Sequence, residues 1–276
     1  MGRAKGKTAG VSAAFFHAGL DIKSKQETVE QWKSGATHVM CATVAFGMGI
    51  NKPNVRFVIH HSIPKDLESY VQESGRAGRD GCEAHTYIFF RFEDRTKHLR
   101  NISSLPDSDR KLVSLNGLND MVKYCITPVC RRQQIASHFH DECAVICDKS
   151  CDICSSAVLE HPADRSDDAI EVLNCLDSMQ QIQPKVTTKS LTLTFRGSRS
   201  NSITSKGFQN VNGYGKGRNK FNEKGLMKFM QFLITENILH EQLRPANDKQ
   251  TTPYLVKGNN ASRLTNKELT FLYYTK

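Results

Sequence analysis

Over residues 11–90 short apolar runs alternate with polar, amphipathic stretches. Residues 11–16 are apolar and end at His17-Ala18-Gly19-Leu20. Asp21 then stands as the N-cap of a polar helix that runs to Trp32 and Lys33 and is closed by Gly35. Residues 39–44 and 55–60 carry a strand pattern, and 67–74 reads as a helix entered after Pro64 and Asp66. Residues 86–90, rich in β-branched and aromatic side chains, predict another buried strand. Repeated β-α alternation predicts a parallel sheet with helices on both faces. Glycine-containing segments then fall where strands run into loops, the ligand edge of such sheets.

From residue 106 the pattern changes. Residues 112–124 and 131–140 read as helices joined at Thr127-Pro128 and followed by a cluster of cysteines. The polar stretch 161–168 predicts a linker. Beyond it, helix-like segments at 169–180 and 225–235 enclose a basic loop rich in Gly, Ser and Asn. Short strand-like pieces at 238–243 and 254–257 flank residues 244–253. Helices followed by a hairpin predict a winged helix. The expected division is 1–105, 106–160, a linker at 161–168, and 169–276.

A length of 276 residues fits about two domains. No apolar run approaches the roughly 20 residues of a membrane span, and the N-terminus carries no apolar signal stretch. The net charge is +10, and its placement matters more than its size. Between Lys185 and Lys228 ten Lys or Arg face one acidic residue, Glu223, so that stretch holds nine of the ten net charges. A localised basic stretch reads as a polyanion footprint, against the blander alternative of a solvated loop. Nine cysteines without a secretory signal point to reduced thiols and a metal site.

The richest segment is Gln72-Glu73-Ser74-Gly75-Arg76-Ala77-Gly78-Arg79-Asp80-Gly81. Arg76 and Arg79, on a turn loosened by glycines, form a fork for phosphate oxygens, which guanidinium groups meet with paired, charge-assisted hydrogen bonds. The competing possibility is that both arginines merely pair with Glu73, Asp80 or Glu83. Upstream lies Cys41-Ala42-Thr43-Val44-Ala45-Phe46-Gly47-Met48-Gly49-Ile50-Asn51-Lys52-Pro53. A hydroxyl and exposed N–H groups after a strand suit a nucleic-acid phosphate, which singles out Thr43 and the Gly47-Met48-Gly49 turn.

In order and spacing these two segments resemble the last two conserved motifs of superfamily 2 helicases, and in wording the RecQ family. The resemblance implies an α/β RecA-like sheet domain, then a helical zinc-binding module and a winged helix. It makes Arg79, with Arg76, the expected arginine finger for the γ-phosphoryl group, and Gln72, Gly47, Gly49 and Asn51 the nucleotide-facing set. Asn51 stands where many relatives carry aspartate. The segment GxxxxGK(S/T) and a DExH element are missing from the sequence. ATP and Mg²⁺ are therefore expected to be held mainly by a first RecA-like domain outside this chain, and the chain alone is not expected to hydrolyse ATP.

Cys130, Cys147, Cys151 and Cys154 are spaced C-x16-C-x3-C-x2-C. Four thiolates with close pairs suit tetrahedral Zn²⁺ in a closed, structural site. Cys143, His138 and His140 compete for a ligand place, while Cys125 and Cys175 read as packing residues. The surrounding sequence also resembles the RecQ zinc segment. Phe195-Arg196-Gly197-Ser198-Arg199-Ser200 resembles the FRGSKS segment of RecQ C-terminal domains, Bloom-type members above all. With Lys216, Arg218, Asn219, Lys220 and, in the hairpin, Asn247, it forms the expected DNA-contact set. The hairpin carries no aromatic at its tip, so a stacking wedge is not expected there.

The resemblance implies the C-terminal part of a nuclear, ATP-dependent 3′-to-5′ DNA helicase of repair, recombination and replication. Its expected partners are single- and double-stranded DNA, forks and junctions, with no membrane. The alternatives are a non-catalytic zinc and winged-helix DNA-binding protein with a vestigial motor half, and an RNA helicase.

Overall fold

The computed structural model describes residues 7–8, 10–43, 46, 51–106, 108–141, 147–158, 160–245 and 251–275. Two compact units divide the chain, one of residues 1–61 and 68–89, the other of 62–67 and 90–276.

The first unit contains two β-α-β crossovers. Strand β1 (Lys7–Thr8) runs antiparallel to β2 (Val11–Phe16), which continues through α1 (Ile22–Lys33) into the parallel β3 (Val39–Ala42). Strand β4 (Phe57–His60) leads through α2 (Leu67–Ser74) to β5 (His85–Ile88), with Ile59 opposite Tyr87. Asp21 caps α1 as its sequence position foretold, accepting from Ser24 N at 2.9 Å and Ser24 Oγ at 2.7 Å. Trp32 of α1 and Phe16 of β2 close on Phe46, with ring centroids 6.2 and 4.9 Å away.

The parallel α/β layout expected from the sequence is present, with helices packed on small parallel sheets. Among the described residues α2 meets the Val58 and His60 side of its sheet through His60 and Glu73, 3.0 Å apart. On the opposite face Phe57, Ile59 and Phe89 are 58%, 57% and 59% exposed.

The second unit is mainly helical. It begins with α3 (Phe92–Ser103), α4 (Asp109–Ile126) and α5 (Arg131–His138). Helix α3 lies inside the stretch assigned by sequence to the first domain, yet it packs with α4 in the second unit. The expected linker at 161–168 is ordered: β6 (His161–Asp164) pairs antiparallel with β9 (Leu272–Thr275), and α6 (Ser166–Ile182) starts directly after it. Next come α7 (Thr188–Arg196), α8 (Asn201–Thr204), a 3₁₀ turn (Phe208–Asn210), α9 (Glu223–Thr235), the hairpin β7 (Leu239–Pro245) and β8 (Thr251–Lys257), and α10 (Ala261–Thr265). Among the described residues no helix is long and apolar enough to cross a membrane.

Helix α7 falls where sequence predicted loop. Its threonines have weak helix propensity, but Leu191, Thr194 and Phe195 recur at helical spacing and are fully buried. A capping box between Thr187 and Ser190 starts the helix. Gly197 ends it at φ +79°, a conformation other residues adopt at a cost. The core around α7 is formed by Val172, Leu176 and Met179 of α6 and Leu226, Phe229 and Leu233 of α9, all fully buried. Truncating Phe195 to Ala should cost about 3–5 kcal/mol of the second unit's stability, read as a lower urea midpoint; an unchanged midpoint would contradict this packing.

Candidate functional site

The arginine turn begins where α2 ends. Gly75 N donates to Val71 O at 2.9 Å, and Ala77 N to Ser74 O at 3.0 Å. Gly78, at φ +66°, then donates to Val55 O at 3.0 Å, which ties the turn to the approach to β4. A Cβ at Gly78 would stand 3.0 Å from Cys82 O, so this glycine is required twice over.

Arg79 is exposed on this turn. Its Nη1 donates to Asn51 Oδ1 at 3.0 Å and its Nε approaches Gly75 O at 3.4 Å, both neutral acceptors. Asp80, its neighbour, is engaged elsewhere: both carboxylate oxygens lie 2.6 Å from Arg56 Nη2. The hydrogen bond from Arg56 holds the Asp80 carboxyl below its ordinary range. Glu73 faces His60 at 3.0 Å. Of the carboxylates that could have neutralised Arg79, Asp80 and Glu73 thus have other partners, and Glu83 lies 3.7 Å from His85. Arg76 is half-buried, and its backbone N–H donates to Glu73 O at 3.3 Å. Gln72 is exposed on α2. Thr43 is exposed just past β3, its N–H donating to Phe16 O at 3.2 Å. Gly47 and Gly49 lie outside the described residues. Asn51 and Arg79, 28 residues apart, are therefore brought together, a contact the sequence did not announce.

Cys130 caps the start of α5, and Cys147, Cys151 and Cys154 come from the loop that follows it. All four thiol sulfurs lie within 4.8 Å of one another, and neither His138 nor His140 joins them. Cys143 lies outside the described residues. Burial opposes ionisation of Cys147, yet hydrogen bonds from Ser150, Cys151 and Cys130 bring its thiol down to about 6. Cys151 is lowered as well, whereas hydrogen bonds with Cys151 and Cys130 push Cys154 up to about 12; binding a metal requires the ligand thiols to give up their protons. The loop is pinned by Arg131, which pairs with Asp152 Oδ1 at 2.9 Å and Oδ2 at 3.0 Å, and donates from Nη1 to Tyr124 O. Cys125 and Cys175 stay outside the cluster, their thiols pushed up to about 12 by burial. The donor set fits a closed tetrahedral zinc site of structural role.

The basic surface is more selective than its charge count. Lys220 Nζ sits 2.5 Å from Asp168 Oδ1 and 3.0 Å from Glu171 Oε2 on α6, and Lys216 lies 3.6 Å from Glu171. Arg196 pairs with Glu223 at 2.6 Å. Arg218 Nη2 donates to Gly197 O at 3.0 Å, fixing the turn after α7. Ser198 Oγ donates to Ser200 Oγ at 3.2 Å, while Tyr214 OH holds Ser198 O at 3.1 Å. Arg199 and Asn219 are exposed. Asn247 lies outside the described residues.

Three family descriptions match successive parts of the chain: helicase conserved C-terminal domain at residues 3–81, RecQ zinc-binding at 92–155, and RQC domain at 161–273. The chain is 34% identical over 252 residues to the ATP-dependent DNA helicase hus2/rqh1 of Schizosaccharomyces pombe, covering 90% of this chain and 19% of that protein. It is 32% identical over 265 residues to the ATP-dependent helicase SGS1 of Saccharomyces cerevisiae, covering 92% of this chain and 18% of that one. To the RecQ-like DNA helicase BLM of Xenopus laevis it is 34% identical over 279 residues, covering 93% of this chain and 20% of that one. The chain spans about a fifth of the length of these relatives.

Two measurements check the geometry. Zinc analysis should find about one ion per chain, and Cys151→Ser should lower it to a small fraction; an unchanged content would contradict the ligand set. Asp80, with its lowered pKa, stabilises the turn above the ordinary carboxylate value of 3.8 and loses that contribution as pH falls through the folded value. Asp80→Asn should therefore speed amide exchange at Gly81 at neutral pH, with the difference vanishing in strong acid. Equal exchange at neutral pH would contradict the pairing.

Proposed function

Because the chain belongs to the RecQ helicases, as a C-terminal portion of such a protein, we propose that its first unit is the second motor domain of an ATP-dependent DNA helicase. The observation that carries this reading is Arg79, an exposed guanidinium on a glycine turn, held among the described residues by Asn51 and Gly75 O. Neutral acceptors can be exchanged for a phosphate at small electrostatic cost, whereas a paired carboxylate would have to be displaced. In this reading a first RecA-like domain of the same protein binds the nucleotide phosphates and Mg²⁺. Closure of the cleft brings Arg79 to the γ-phosphoryl oxygens, where negative charge spreads in the transition state. Arg76 and Gln72 order the same turn.

Thr43, at the end of β3, takes a phosphate of the tracked strand, with the Gly47-Met48-Gly49 turn beside it. Cycles of closure move that strand in the 3′-to-5′ direction. The winged helix holds duplex DNA at forks and junctions. Because Lys216, Lys220 and Arg196 are already engaged with carboxylates, we assign the leading phosphate contacts to Ser198, Arg199 and Asn219, with Arg218 shaping the turn. The protein acts in the nucleus, in repair, recombination and replication.

In the longer protein that includes the first motor domain, Arg79→Ala should lower kcat of the DNA-stimulated ATPase by about 10³-fold or more, with KM for ATP little changed. An unaltered kcat would sink the finger assignment, and no DNA-stimulated ATPase in that longer protein would favour a non-catalytic DNA-binding role. Arg199→Ala should weaken duplex binding at all sequences and flatten the dependence of log affinity on log salt by about one unit. A slope equal to that of the wild type would remove Arg199 from the interface.

A further inference from the structure

One charge pair in the second unit is shut away from solvent. Arg95 on α3 and Glu241 on β7 are 146 residues apart in sequence, and Arg95 Nε meets Glu241 Oε2 at 2.7 Å. Their side chains are 4% and 5% exposed. The second arm of the guanidinium donates from Nη1 to Asn119 Oδ1 of α4 at 2.8 Å. The second oxygen of Glu241 accepts from Thr188 Oγ1, in the first turn of α7, at 3.4 Å. Four elements therefore converge on one buried pair: α3 and α4 from the zinc-binding segment, β7 and α7 from the RQC segment.

Two outer contacts follow the same seam. Lys123 Nζ of α4 lies 2.6 Å from Glu236 at the end of α9, and Arg100 Nε of α3 donates to Thr251 O of β8 at 3.1 Å. From α4 the connection runs on to the metal cluster. Tyr124 O, in its last turn, accepts from Arg131, which also grips Asp152 between Cys151 and Cys154. A continuous set of packed and hydrogen-bonded groups thus joins the base of the β7–β8 hairpin to the loop that holds the thiols.

We propose that Arg95 and Glu241 are positioning residues that lock the winged helix onto the α3–α4 platform, so that zinc in the cysteine cluster and duplex DNA on the winged helix stabilise one another. The DNA half rests on the reading above that the winged helix binds duplex. The lock rests on the pair itself. Removing one partner strands a buried charge and opens the seam, whereas replacing both with apolar side chains of similar volume lets it close again. Coupling of this kind is reciprocal, so it can be read from either end.

The test uses the full chain with zinc bound, in four forms: wild type, Arg95→Met, Glu241→Met, and the double variant. Amide exchange along β7 and β8 is followed before and after zinc is stripped by a chelator. Zinc release to the chelator is timed with and without a blunt DNA duplex, whose affinity is measured separately. In the wild type, stripping zinc should speed hairpin exchange, and saturating duplex should slow zinc release by about fivefold or more, the lower end of ordinary coupling. Each single variant should exchange fast in the hairpin whether or not zinc is present, and duplex should no longer slow its zinc release. The double variant should recover both responses. Retention of wild-type responses in the single variants overturns the lock, as does failure of the double variant to recover them or to fold. If wild-type protein binds no duplex, the winged-helix reading falls, and the exchange arm still decides the lock by itself.

Discussion

Asp80 follows Arg79 directly in the chain and, on a loose turn, would be its natural counter-charge. Instead both of its oxygens sit 2.6 Å from Arg56 Nη2, while Arg56 Nη1 reaches Glu83 O at 2.9 Å. This arrangement orders the turn and, among the described residues, leaves Arg79 on the amide oxygen of Asn51 and the carbonyl of Gly75. A guanidinium held by neutral oxygens keeps its charge available for an incoming anion. Everything attributed to the first unit depends on that division of labour, in which one arginine satisfies the carboxylate and another stays open.

The second unit solves the opposite problem. Several of its charges close on each other: Lys220 on Asp168 and Glu171, Arg196 on Glu223, Arg131 on Asp152, and Arg95 on Glu241. Apart from the buried Arg95–Glu241, these pairs lie at the surface and add little stability individually. Their effect here is geometric, because each joins elements that no short loop connects. The apolar core of α6, α7 and α9 supplies the free energy, and the pairs select how helices, hairpin and cysteine loop are oriented. The exposed cations that remain, Arg199 among them, stand out for that reason.

Legibility in the sequence followed the range of the interactions. The capped helix α1, the helix α2 and the four-cysteine cluster rest on signals within a few turns or a fixed spacing, and each was readable. The threonine-rich α7 was not, since its helicity comes from burying Leu191 and Phe195 against α6 and α9 rather than from propensity. Strands β6 and β9 were hidden too, because each completes the other from 161–164 and 272–275. The same limit applied to the charges. Lys216 and Lys220, expected to face DNA, lie against Asp168 and Glu171 of α6, about 50 residues away in the chain, a pairing no local signal announced. Asn51, read as a simple variation, proved to be the acceptor that orients Arg79.

The most direct test is the position of one side chain in the longer protein. A structure of that protein with a non-hydrolysable ATP analogue, Mg²⁺ and a DNA strand should show the Arg79 guanidinium moved off Asn51 and within about 3 Å of a γ-phosphate oxygen, with Asp80 still on Arg56. An Arg79 that remains on Asn51, or that turns to Asp80 while another cation meets the phosphate, would contradict the account.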